Sequence, residues 1–225
     1  MLERLDEGLW VAAAPLSFMG LRIGTRMTVV RLASGDLWVH SPIEPTPELR
    51  AEVDALGPVR HVVAPSLYHH LHAGQWKAAY PTAALWGPAA LARKRKDLEL
   101  TETLEQTAGA AWTSELVPVH IDGCMLDETV FLHRATRTLV GSDLTENFTT
   151  SPHWPTRLYL KVSGIHGKVG WSRLMRVVYR DRPAARRSVE ALLALDFDRI
   201  VIAHGDVIRR DGKAALRETF RFLGP

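Results

Sequence analysis

Three histidines, His69, His70 and His72, lie within four residues of one another in the stretch Ala64–Trp76. Neutral imidazole is the commonest side-chain ligand for borderline transition metals. Arg60–Ala64, just before them, reads as a buried strand, and Gln75–Tyr80, just after, reads as a helix. Sites in open α/β sheets lie beyond the carboxyl ends of the strands, which is where such a junction puts its side chains. Two more metal-type residues follow apolar runs in the same way. Asp143 comes after Thr138-Leu139-Val140-Gly141-Ser142, and His204 comes after Arg199-Ile200-Val201-Ile202-Ala203. A hydrolytic metal site needs several fixed ligands and one open position for water. The stretch Leu67–His72, Asp143 and His204 are therefore expected to converge at one sheet edge, with Asp143 as ligand or base. His40, His120 and His133 also end apolar runs and are weaker additions. Each residue has a plainer use: Asp143 could cap a turn, and the histidines could cap and pack a helix start.

The elements that must position these groups read as follows. Gly8–Pro15, Arg26–Leu32 and Leu37–Pro42 form a β-meander, with Ser34-Gly35-Asp36 as a hairpin turn. Thr46 and Pro47 open a helix that presents Leu49, Val53 and Leu56 on one face, and Gly57-Pro58 stops it. Strands and helices then alternate through Ala83–Trp86 and Pro88–Lys94. Leu116–Ile121, Glu128–His133 and Thr138–Asp143 start a second β region. Residues 145–168 lack periodicity and are expected to form a long loop over the mouth of the site. Trp171–Tyr179 reads as helical. A helix from Pro183, the strand Arg199–Ala203 and a helix over Lys213–Leu223 close the chain. No linker or composition shift divides it, so a single domain over 1–225 is expected.

Composition narrows the function classes. The 225 residues are 46% apolar and 24% charged, which excludes a disordered chain. The net charge is +3 and the cations look scattered, so no nucleic-acid partner is expected. The one dense run, Arg93-Lys94-Arg95-Lys96, reads as a solvated helix face. A single cysteine, Cys124, excludes an internal disulfide and a thiolate-rich zinc site. No apolar run approaches the roughly twenty residues that span a bilayer. The expectations are a cytoplasmic protein, a small-molecule substrate and no membrane partner, with no indication of oligomeric state.

Several of these runs together carry a resemblance. The β-meander followed by α/β, the acid after Thr-Leu-Val-Gly-Ser and the terminal Ile-Val-Ile-Ala-His-Gly resemble the metallo-β-lactamase fold superfamily. Leu37–Pro42, Tyr68-His69-His70-Leu71, Glu128–Arg134, Ser142-Asp143-Leu144 and Ala203-His204-Gly205 resemble its DUF4336 branch. The resemblance implies a four-layer αββα sandwich in the α/β class, with the site at one edge of its sheets. It also implies a metal-dependent hydrolase-like activity. The superfamily hallmark is His-x-His-x-Asp-His. With His72 in the place of its last histidine, His69 takes the second, while Leu67 and Leu71 replace the first histidine and the aspartate. Leucine can neither ligate a metal nor orient water. The implied site is thus atypical and holds one ion, zinc or else iron or manganese, on His69, His72, His204 and Asp143. His70, His133, His120 and Tyr68 are candidates to orient or replace ligands. The alternative is a metal-free, catalytically degenerate member of the fold that serves as a binding or interaction protein.

Overall fold

The computed structural model describes residues 1–224. Two β-sheets face each other. The first runs in the order Glu3–Asp6, Leu9–Ala14, Thr25–Arg31, Leu37–His40, Val59–Val63, Ala84–Gly87, Glu102–Thr103. It begins antiparallel and becomes parallel from Leu37–His40 onward, where helical crossovers replace hairpins. The second runs Leu116–His120, Thr129–His133, Thr138–Val140, Arg199–Val201, and its last pair is parallel.

Six α-helices cover the sheets: α1 (Pro47–Asp54), α2 (Ala73–Ala79), α3 (Ala89–Lys94), α4 (Trp154–Ser163), α5 (Arg182–Ala194) and α6 (Gly212–Phe220). Alternation along the strands sorts side chains to opposite faces. Val62 joins the seam with Leu49 and Val53 of α1, Trp76 of α2 and Leu91 of α3. Its neighbour Val63 joins the seam between the sheets, with Trp38, Trp112 and Phe131. In the second sheet Val140 packs into that middle seam, whereas Leu139 packs with Val189 and Leu192 of α5 and Leu216 and Phe220 of α6. Three seams separate four layers, giving the αββα sandwich that the resemblance implied.

Most elements fall where the sequence put them, with a residue or two of difference at the ends. The Thr46 hydroxyl caps α1 by accepting from Leu49 N at 3.3 Å. Two segments differ. Residues 145–168 are not one irregular loop: they contain a short strand, Glu146–Asn147, paired with Val169–Gly170, and the helix α4. The periodicity was hidden because α4 buries Thr156 and Ser163 while exposing Trp154, Leu158 and Val162. Within Trp171–Tyr179 only a 3₁₀ turn forms, over Met175–Val178.

Candidate metal centre

Three of the four residues expected to converge do so. His69, Asp143 and His204 each offer one ligand atom, and these atoms lie within 4.8 Å of one another. His69 Nε2 and His204 Nε2 each stand 3.3 Å from Asp143 Oδ1. The carboxylate lies between the imidazoles, its side chain only 15% exposed.

The chain fixes each side chain from behind. The Ser66 hydroxyl accepts from the backbone N–H groups of Tyr68 (3.3 Å) and His69 (3.1 Å), turning the chain just after the Val59–Val63 strand. His69 Nδ1 then meets Ser41 Oγ at 2.8 Å. Ser41 follows the Leu37–His40 strand with φ +50°, a left-handed conformation unusual for a non-glycine residue. His204 Nδ1 donates to the carbonyl of Gly24 at 2.8 Å. A carbonyl only accepts, so the proton sits on Nδ1 and Nε2 is the free ligand atom. Arg26 holds the loop on both sides of His204, donating to Ile202 O and, at 2.8 Å, to Gly205 O. Gly205 itself has φ +86°, and a Cβ there would fall 2.1 Å from Asn147 O, so glycine is required for this close approach.

Asp143 is held by Glu128, whose Oε1 accepts from Ser142 N (2.6 Å), Ser142 Oγ (2.9 Å) and Asp143 N (3.1 Å). Burial, then the adjacent Asp143 carboxylate, pushes the Glu128 carboxyl up to about 8 against the pull of these donors. Burial alone would raise Asp143 too, but His69 and His204 more than offset it and hold Asp143 well below the carboxylate range. Burial lowers His204, and Asp143 outweighs it, so the imidazole is raised above its ordinary value. Glu146 is close enough to feel His204 and Asp143, and burial lifts it to about 7.

The remaining sequence candidates lie elsewhere. His72 precedes α2, half-buried, with Nδ1 2.8 Å from Gln75 Oε1, and stands outside the three-residue grouping. His70 turns toward the end of α3, 2.9 Å from Arg95 Nη1, and Tyr68 is exposed beneath the Lys94 ammonium, 4.3 Å from its ring centroid. The Arg93–Lys96 run, read as a solvated face, is thus tied to the histidine stretch through Lys94 and Arg95. His120 shares the site's edge of the second sheet, but its Nε2 faces Asp127 at 3.4 Å. His133 pairs with Thr138, at the start of the strand whose far end leads to Asp143. It therefore lies at the opposite end of the sheet, bonded to Thr136 Oγ1 at 2.8 Å. Ending a strand puts a residue at the site only if that strand points there, and Thr129–His133 runs antiparallel to its neighbour. His40 points the right way, but it is buried on Trp38 with neither ring nitrogen partnered. Burial, then His69, lowers its pKa to about 3.

Ser41, Arg26, Glu128 and Glu146 were not singled out from the sequence. Glu128 carried a signal all the same, as an acid opening a run of five buried residues, Thr129–His133.

The chemistry of the donors, two imidazoles and a carboxylate, suits zinc. Two of the three ligand-to-ligand edges, from Asp143 Oδ1 to each imidazole nitrogen, are 3.3 Å, close to the edge of about 3.3 Å in tetrahedral zinc with ligands at about 2 Å, and all three atoms lie within 4.8 Å of one another.

Solved structures share this architecture. The chain aligns over its full length with 97% of a DIM-1 metallo-β-lactamase determined after exposure to ceftazidime, at 12% identity and TM-score 0.70. A metallo-β-lactamase from Pontibacter korlensis aligns over 99% of this chain and 98% of its own, at 13% identity and TM-score 0.70. The mono-zinc form of FIM-1 from Pseudomonas aeruginosa covers 100% of this chain and 96% of its own, at 12% identity and TM-score 0.66. No curated sequence relative matches. A family model described as a domain of unknown function, DUF4336, matches residues 7–156. That match takes in more than half of the chain, including His69 and Asp143, so the protein belongs to the DUF4336 family and carries the metallo-β-lactamase fold.

Proposed function

We propose that this protein is a metal-dependent hydrolase with a single divalent ion, most simply zinc, held by His69, Asp143 and His204. The observation that carries the reading is the pair of equal 3.3 Å separations about Asp143 Oδ1, with both Nδ1 atoms engaged behind the rings. A bound ion would supply Lewis acidity toward a carbonyl or phosphoryl oxygen and lower the pKa of water toward neutrality. The chain's own residues do the rest. The Gly24 carbonyl holds His204 in the ligating tautomer, Ser41 positions the His69 ring through Nδ1, Glu128 fixes the Asp143 turn, and Asp143 stays ionised as ligand or base. A second ion is not expected. Leu67 packs on the helix-side core of the first sheet and Leu71 is 56% exposed, so neither hallmark position offers a donor. His72 stands at the start of α2, bonded to the Gln75 side chain, and takes no part in this ligand set.

Elemental analysis of protein purified without a histidine tag tests this reading. One ion per chain is expected in the wild type, with none in His204→Ala or His69→Ala. A chelator should lower the melting temperature of the wild type and leave both variants unmoved. A wild type that holds no metal and ignores chelator would favour the other reading, a metal-free polar cluster in a binding protein. His204→Ala would then cost only what a buried hydrogen-bonded group costs, about 1–3 kcal/mol.

A further inference from the structure

The helix α4 is built inside out. Trp154, Leu158 and Val162 are 67%, 54% and 64% exposed, while Thr156, Leu160 and Ser163 face inward. At 100° per residue, positions 154, 158, 161 and 162 fall within a sector of about 100°. The outward face is therefore an apolar ridge with one cation, Lys161, in it.

Two neighbouring segments pack against the inner face of α4 and carry further exposed apolar side chains. Beyond the C-terminus of α4, Arg173 N donates to Ser163 O at 3.2 Å, which seats Leu174 and Val177, 57% and 62% exposed, beside it. Near its N-terminus, Arg22 N donates to Thr156 Oγ1 at 2.9 Å, docking the Ser17–Arg22 hairpin with its exposed Phe18 and Met19. Most of the large apolar side chains exposed among the described residues thus belong to this one assembly. Exposed apolar side chains concentrated in neighbouring elements mark an interaction site.

Charge identifies the partner. Residues 147–180 carry six Lys or Arg and no Asp or Glu, in a chain with 28 cations and 25 acids. The rest of the chain is therefore net acidic, and the segment that carries the ridge is net basic. Arg176 lies close enough to Arg173 and Arg182 for them to oppose its charge, with Glu218 the acid that faces it. A tryptophan and aliphatic ridge set among cations is the composition of a helix that lies in the plane of a membrane interface. A second copy of this chain docked about a two-fold axis would press like charges together. Nucleic acid would leave the leucine and valine side chains without a use, since stacking needs aromatics and the helix offers only Trp154 on this face.

We propose that α4 and the adjoining 173–177 segment form a peripheral docking face for an anionic lipid surface. The ridge inserts at the headgroup boundary, and Lys161 and Arg173 meet lipid phosphates. This inference is independent of what the metal centre does.

Co-sedimentation with phosphatidylcholine vesicles, with and without phosphatidylserine, tests it. The wild type should sediment only with the mixed vesicles and be released by high salt. The double variant Trp154→Ser/Leu158→Ser and the single variant Lys161→Glu should each bind more weakly, the first by on the order of tenfold or more. Both alter exposed positions, so an unchanged melting temperature checks that they fold. Brominated lipid in the mixed vesicles should quench part of the wild-type emission, and this quenching should vanish in Trp154→Phe. No binding by the wild type, or equal binding to both vesicle types, overturns the proposal. So does binding to mixed vesicles that the double variant retains in full, or RNA binding that is as tight and equally indifferent to it.

Discussion

The helices α5 and α4 sit in the same chain and obey opposite rules. The longer one, α5, buries Ala184, Ala185, Val189 and Leu192 against the second sheet and turns Arg187 and Glu190 to solvent. In α4 two hydroxyl residues are inside and a tryptophan, a leucine and a valine are outside. Packing explains α5 completely, because its sequence pattern and its burial agree. It does not explain α4, whose outward face wastes apolar area that burial would turn into stability. The site edge shows the same reversal: His40, Ser41, His69, Glu128 and His204 are buried while Leu71 is exposed. Local rules are broken where something other than folding sets the residue, which makes these two places the functional candidates.

Truncating a leucine on each helix should give the largest effects. Leu192 and Leu160 are both fully buried, so Leu192→Ala and Leu160→Ala should each cost about 2–5 kcal/mol. Leu158, two residues from Leu160, should lose no more than about 0.5 kcal/mol as alanine, since its packing is to solvent and alanine favours the helix. Urea denaturation of the three variants checks the contrast. A Leu158→Ala cost equal to that of Leu160→Ala would remove the reversed polarity on which the lipid-face inference stands.

This contrast also explains what was legible. Strands such as Thr129–His133 and Thr138–Val140 were readable because they are buried along their whole length and so mostly apolar. Asp143 and His204 were readable together because the strands Thr138–Val140 and Arg199–Val201 run parallel and end at one edge, and His69 follows a strand of the facing sheet that ends on the same side. His133 was not, since an antiparallel strand ends at the other edge and sequence does not print direction. His72 failed for a smaller reason: the turn capped by Ser66 commits His69 to the site, and three residues on, the chain is already entering α2. Ser41, Gly24, Arg26 and Glu128 come from elements far apart in sequence, and nothing local says that they meet. The α4 helix was invisible because a helix is recognised by its buried stripe, and here two of the three buried residues, Thr156 and Ser163, are polar.

Glu128 gives the next effect in size. It is 2% exposed and gathers three donors on one oxygen. Glu128→Ala leaves Ser142 N, Ser142 Oγ and Asp143 N without their acceptor, which should cost about 1–3 kcal/mol. It should also loosen the turn that presents Asp143. Glu128→Gln keeps an acceptor oxygen and the volume, so most of the stability should remain. Thermal melts separate the two, and metal content should follow stability, falling further in Glu128→Ala. A glutamine variant as unstable as the alanine one would show that the acceptor oxygen at the turn is not what Glu128 contributes.

The smallest change in stability should come from Leu71→Asp, and it bears most directly on the site. Position 71 is where the superfamily resemblance places an aspartate, and here a leucine stands 56% exposed in the turn after His69. Because the side chain already meets water, the substitution buries no charge, and its effect on folding should stay within about 0.5 kcal/mol. Any change in metal content then reports on ligation rather than on damage. A fourth protein ligand beside two imidazoles and Asp143 should tighten zinc binding if the turn can bring residue 71 to the ion, and anionic oxygen is a competent zinc donor. Isothermal titration of zinc into metal-stripped wild type and Leu71→Asp measures this. Tighter binding, or a second equivalent of zinc, would show that the edge still has the geometry of a two-metal site and lacks only its side chains. Unchanged binding with unchanged stability would mean that the turn after His69 has moved away from the centre, leaving His69, Asp143 and His204 as the whole of the ligand set.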